Sequence, residues 1–284
     1  MESRLTWQGV EIDGPTALAL LEWQREMGAD EAMLDAALDR TDLPAPAAVA
    51  AAPPAPAAPA AGVSAAGPAA PPVGAQQSLL GDDHAEALAQ AEALAAGAAT
   101  LDDLAAAQQG FDGIELKRGA RNFVFADGRA AARVMILGEA PGEEEDACGL
   151  PFVGRAGQLM DQMFAAIGMG RADPDATRAL YVTNVIKWRP TGNRRPTAEE
   201  IALSLPFLRR QVELADPEFL VLMGNTPCAA ALGREGILRL RGNWTTAFDR
   251  PALPMTHPAY LLRNPVAKRE SWADLLSLAA KLGL

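Results

Sequence analysis

Cysteine is nearly absent from this chain of 284 residues. Cys148 and Cys228 are its only two, which excludes a disulfide framework and makes a reducing cytoplasm the expected setting. Histidine is as scarce, with His84 and His257 alone. No basic segment precedes an apolar core at the start, where Glu2, Glu11 and Asp13 stand instead, so a signal peptide is not expected. Nor is any apolar stretch unbroken for long enough to span a bilayer. The alanine-rich region around residues 47–70 is interrupted repeatedly by proline.

An excess of positive charge is missing too, since the formal net charge is −11. Such a balance argues against a nucleic-acid ligand until the charge is located along the chain. Residues 1–104 hold 3 Lys/Arg against 16 Asp/Glu, whereas residues 105–284 hold 22 against 20. The acidity belongs to the first third. Contact between DNA and the nearly neutral remainder must use local clusters, and the candidates are Lys187/Arg189/Arg194/Arg195, Arg209/Arg210, Arg239/Arg241 and Arg263/Lys268/Arg269.

What is present divides the chain into three zones. Residues 1–41 read as a short helical segment, with Asp13 as a cap, Pro15 in the first turn, and Leu18, Leu21 and Trp23 supplying an apolar face. A second short helix is expected near Asp30–Leu38. Residues 42–77 are Ala/Pro-rich, and that composition buries no core and favours an extended, semi-stiff linker. Residues 78–284 make up the remaining domain, entered through helical, alanine-rich sequence. The N-terminal segment is either a packing accessory or a tethered docking helix for another protein, and residues 1–76 are expected to be dispensable for chemistry.

After residue 130 the pattern alternates. Strands are expected at Arg133–Leu137, Leu180–Asn184, Phe219–Met223 and Ala252–His257. Helices are expected near Arg155–Ile167, Thr197–Leu214, Thr226–Leu232 and Ala267–Lys281. Alternation of this kind predicts an α/β domain with a mainly parallel sheet covered by helices.

The apolar run Val134-Met135-Ile136-Leu137 leads into Gly138-Glu139-Ala140-Pro141-Gly142-Glu143-Glu144-Glu145-Asp146, and then Pro151-Phe152-Val153-Gly154-Arg155. A strand that ends in a Gly/Pro turn and acidic residues places them at the carboxyl edge of a sheet, where open α/β folds bind ligands. Two further segments follow, Thr183-Asn184-Val185-Ile186-Lys187 and Thr256-His257-Pro258-Ala259-Tyr260-Leu261-Leu262-Arg263. In order and separation this set resembles the uracil-DNA glycosylase superfamily, nearest to its iron–sulfur branch, family 4, over about Phe111 to Trp272. The resemblance implies a three-layer α/β/α sandwich with a four-stranded, mainly parallel sheet. It also implies a monomeric enzyme of base-excision repair that flips uracil out of DNA and hydrolyses its N-glycosidic bond. The rival reading is a catalytically silent DNA- or protein-binding module on the same fold.

Roles for single residues follow from the resemblance and from side-chain chemistry together. Glu139 would position water and stabilise a cationic sugar, with Glu145 as the other candidate acid; Glu143 to Asp146 otherwise read as a solvated loop. The better-known branch has Asp where this chain has Ala140, so the duty falls on those two. Gly138, Gly142 and Phe152 would form the uracil pocket, the Phe152 ring stacking on the extruded base. Asn184 offers one acceptor and two donors, which match the N3–H and O4 edge of uracil and mismatch cytosine. Gly142 leaves space where other branches carry a thymine-excluding side chain. His257 would donate a hydrogen bond to the departing uracil anion. Pro258, Leu261, Leu262 and Arg263 would enter the minor groove as wedges. Lys187, Arg189, Asn193 and Arg194 would lie along the DNA backbone.

Family 4 carries four cysteines for a [4Fe–4S] cluster. Alignment through Asn122-Phe123-Val124-Phe125 puts Phe111, Ile114, Trp188 and Ser204 at those positions, so no cluster and no other cofactor is expected. A hydrophobic plug is the expected substitute. The superfamily's covalent uracil-binding branch carries Gln at the place of Ala140 and an inserted basic loop before its histidine. Neither is present.

Overall fold

The computed structural model describes residues 5–7, 10–12 and 74–284. Leu5–Trp7 (β1) and Val10–Ile12 (β2) pair antiparallel, with Trp7 opposite Val10. The helices expected between residues 13 and 38 lie outside the described residues, as does the linker up to Val73. The chain divides into units at residues 1–71 and 72–284, and helix α1 (Gly74–Gly97) starts inside the stretch expected to be linker.

The larger unit is built on β3 (Ala126–Gly128), β4 (Val134–Gly138), β5 (Leu180–Asn184), β6 (Phe219–Met223), β7 (Thr245–Ala247) and β8 (Arg250–Met255), in the order β3-β5-β4-β6-β8-β7. The four central strands are parallel and are the four expected from the sequence. Strands β3 and β7 add short antiparallel edges, so the sheet has six strands rather than four. Ala-Asp-Gly and Thr-Thr-Ala are too short and too polar to announce themselves as strands, and such edges resist pairing with other chains.

Both faces of the sheet are covered, which is why its strands read as unbroken apolar runs. Along β4, Val134 and Ile136 join a core with Met160 and Phe164 of α4 (Arg155–Ala165) and Leu275 and Leu278 of α9 (Lys268–Leu282). Met135 and Leu137 point the other way, into a core with Leu104 of α2 (Leu101–Gly110) and Phe207 and Leu208 of α5 (Ala198–Ala215). Thr100 with Asp103 and Thr197 with Glu200 close capping boxes that start α2 and α5. The result is a three-layer α/β/α sandwich.

Two stretches outside the expected helices are helical. Glu143–Cys148 forms α3, whose acidic first turn suits the positive end of the helix and whose end is turned by Gly149 at φ 76. Asp146 is buried there and accepts from the backbone N–H groups of Arg121 and Asn122 at 2.8 and 3.1 Å. Pro258–Arg263 forms α8, with Pro258 in its first turn. Strand β4 has β5 on one side and β6 on the other, so its carboxyl end lies at the switch point of the sheet.

Candidate active site

Side chains from four strand ends meet at that edge. Gly138, the last residue of β4, pairs with Asn184, the last of β5. A Cβ at Gly138 would stand 2.2 Å from the Asn184 Oδ1 and 2.5 Å from the Phe152 ring, so only glycine lets the amide and the ring converge there. Phe152 is buried with φ 55, and its ring lies against that of His257 with centroids 5.6 Å apart and planes inclined by 26°. Asn184, Phe152 and His257 are thus brought together over one glycine.

Beside them Glu139, Ala140, Gly142, Asn193, His257 and Arg263 line a cavity of about 750 Å³. A second depression, of about 770 Å³, shares Gly142, Asn193 and Arg263 with it and runs on to Leu262. The hydroxyl of Thr226 donates to Glu139 Oε2. Thr226 is fully buried in the first turn of α6 (Asn225–Leu232), which leaves β6 through Gly224 at φ 101 and is followed by the short α7 (Ile237–Leu240). Sequence reasoning missed Thr226. Its signal is position, since it follows a parallel strand at the same edge.

His257 caps α8, its Nδ1 accepting the N–H of Ala259 at 3.1 Å. A neutral ring then carries its proton on Nε2. Burial, reinforced by the nearby charge of Arg263 and opposed by that of Glu145, pushes its pKa down to about 4. The site therefore holds a neutral imidazole that donates through one defined nitrogen.

Glu145 is differently employed. Its Oε1 accepts the N–H groups of Val153 and Gly154, and its Oε2 that of Gly142, all at 3.0 Å. The carboxylate is spent on backbone, which separates it from Glu139 as an acid available to water. The space beside Gly142 is not open either, because an added Cβ there would lie 2.7 Å from Glu145 Oε2.

The basic and wedge residues divide by depth. Lys187 is fully buried, its ammonium donating to Thr183 Oγ1, to the Asn184 carbonyl at 2.7 Å and to Gln211 Oε1 at 2.7 Å. It packs over the Phe125 ring, and burial holds its pKa well below the usual lysine range. The phosphate contact expected of Lys187 is therefore corrected: it is an internal tie behind Asn184. Leu261 and Pro258 are also buried, so neither is a wedge as placed; Leu262, 37% exposed, and Arg263 point outward. Arg194 is engaged by both carboxylate oxygens of Glu200, and Arg189 by Glu143 and Asn193.

The positions aligned with cluster cysteines are all interior. Phe111, Ile114 and Trp188 belong to one apolar core, in which Phe111 meets Phe207 at 5.6 Å and Trp188 meets Phe123 at 5.0 Å. Ser204 is buried one turn before Phe207. Burial raises the Cys228 thiol to about 12, which keeps it from serving as a thiolate, and Cys148 is exposed. These residues do not fit an iron–sulfur cluster.

No described helix is long and apolar enough to cross a membrane. A family profile described as the uracil DNA glycosylase superfamily matches residues 125–276. A type-4 uracil-DNA glycosylase of Archaeoglobus fulgidus is 39% identical over 195 residues, 65% of this chain and 94% of that one. One of Thermotoga maritima is 39% identical over 148 residues, 50% of this chain and 73% of that one. A type-5 enzyme of Pyrobaculum aerophilum is 31% identical over 126 residues, 41% and 53% of the two chains. The sheet edge and the matched span coincide, and the chain belongs to the uracil-DNA glycosylase superfamily.

Proposed function

We propose that this DNA N-glycosylase takes uracil extruded from DNA and hydrolyses its N-glycosidic bond without an iron–sulfur cluster. The observation that carries the reading is the meeting of Asn184, Phe152 and a neutral His257 over Gly138, with Glu139 on the same cavity. Extrusion is needed because the bond cannot be reached within the stack. Phe152 offers the flipped base a face and Asn184 reads its N3–H and O4 edge. As the bond breaks, electrons pass to the uracil ring and the sugar becomes cationic. His257 donates through Nε2 to the anion, an interaction that strengthens towards the transition state. Glu139, steadied by Thr226, faces the cationic sugar and positions the water that adds to it, taking the proton the water releases. A proton from solvent neutralises the departed uracil anion, so that hydrolysis balances. Leu262 and Arg263 occupy the vacated stack, and Asn193 lies along the backbone. Incubation of the purified protein with a single-uracil oligonucleotide, followed by alkali, should cut at the uracil alone; an uncut strand would favour a binding module.

The protein should be colourless and iron-free even when prepared anaerobically, because Phe111, Ile114, Trp188 and Ser204 offer no thiolate. Stoichiometric iron and sulfide would overturn that assignment. Lys187→Met should leave the salt dependence of duplex binding unchanged, whereas Arg269→Ala, in the exposed basic cluster that follows the wedge, should lower its slope by roughly 1. Affinities measured across a salt series decide this, and a reduced slope for Lys187→Met would restore it as a phosphate contact.

A further inference from the structure

Phe152 holds a backbone conformation that phenylalanine adopts only when its surroundings impose it, and the means of imposing it lie on both sides of the residue. Arg171, which follows α4, donates from Nη1 to the carbonyl of Pro151 at 2.8 Å and from Nη2 to that of Phe152 at 2.9 Å. Its guanidinium is itself held, Nε by Asp161 of α4 at 3.0 Å and Nη1 by Asp127 of β3 at 2.8 Å. On the other side Glu145 grips the N–H groups of Val153 and Gly154. Gly157 completes the enclosure, since a Cβ there would stand 1.8 Å from the Phe152 carbonyl oxygen. Two carbonyls are therefore fixed by a cation and the next two amides by an anion. Arg171 lines neither of the two cavities, and Glu145 borders only the second, with both of its oxygens already on backbone N–H groups, so the pair has a backbone to hold.

We infer that Arg171 is a positioning residue for base recognition, clamping the Phe152 turn together with Glu145 so that the ring is already set over Gly138 beside Asn184. The inference rests on the proposed stacking role of Phe152. A preset ring meets the base without first being ordered, and a loosened turn would have to be ordered at each encounter. The planar fork of arginine spans two adjacent carbonyls, which one lysine ammonium reproduces poorly.

The test is a double-mutant cycle on single-turnover uracil excision. Arg171→Ala and Arg171→Lys should each slow excision by roughly 10–100-fold, the range one base–aromatic stack spans. In a Phe152→Leu background the same changes should cost less than about threefold, because the ring they serve is gone. An undiminished loss in that background would overturn the inference and make Arg171 a general support of the fold. If Arg171→Ala does not fold, Arg171→Lys, which keeps the charge facing Asp127 and Asp161, carries the cycle. Crystals of Arg171→Lys give a readout independent of activity. Phe152 should there leave positive φ, and an unchanged ring over Gly138 would overturn the clamp even if the parent protein excises uracil. Failure of the parent to excise uracil would instead sink the proposed function, with the crystal result still deciding the clamp.

Discussion

His257→Ala should slow single-turnover excision of uracil by about 10²–10³-fold, equivalent to about 2.7–4 kcal/mol of transition-state stabilisation. The reason is that Nδ1 is already committed to the Ala259 N–H, so Nε2 is the one donor the ring can turn on the departing base. Alanine also removes the cap of α8, which by itself costs about 1 kcal/mol of stability. His257→Asn separates the two effects. Its side-chain oxygen can keep the cap, while its amide falls short of the place of Nε2. Affinity for ordinary duplex should change little in either variant, because phosphate contacts come from other residues. Parental excision by His257→Ala would remove the role assigned to this residue.

The pH dependence of stability follows from the same ring. Its pKa is about 4 when folded, below the ordinary 6.5, so protons favour the unfolded chain. Stability from keeping His257 neutral is full above pH 6.5 and is lost as pH falls towards 4, on the order of 3 kcal/mol in all. The rate should likewise show no loss from His257 protonation until pH nears 4.

Much of this site was legible in the sequence because catalytic groups in an open sheet follow apolar strand runs. Gly138, Glu139, Asn184 and His257 were each placed by the strand that precedes them. The long helices were legible from their caps and apolar spacing. What stayed hidden depends on depth and on distance along the chain. Lys187 has the side chain of a phosphate ligand, but its turn carries the ammonium beneath Asn184 to Gln211. Leu261 and Leu262 look equivalent as letters, yet one step around α8 rotates them by about 100°, putting one in the core and the other at the surface. Glu145 read as part of a solvated acidic loop because six residues of α3 show no apolar period. Arg171 lies in none of the motifs.

Glu139→Gln should lower excision by about 10²–10⁴-fold, the span typical of losing a positioned base. Gln keeps the size and an oxygen for Thr226 but removes the charge that faces the cationic sugar. Thr226→Val should cost less, because the carboxylate survives while one of its anchors is lost, and Thr226→Ser should restore the rate. In a Glu139→Gln background Thr226→Val should have little further effect, as expected when two residues act through one group. Glu145→Gln offers the contrast. There an amide NH₂ must face one of the backbone N–H groups that the carboxylate now satisfies, so the Phe152 turn loosens and binding of product-like abasic DNA weakens together with excision. Glu139→Gln should spare that binding, because its charge is needed only when the sugar becomes cationic. A parental rate for Glu139→Gln, with a large loss confined to the chemical step in Glu145→Gln, would exchange the two assignments.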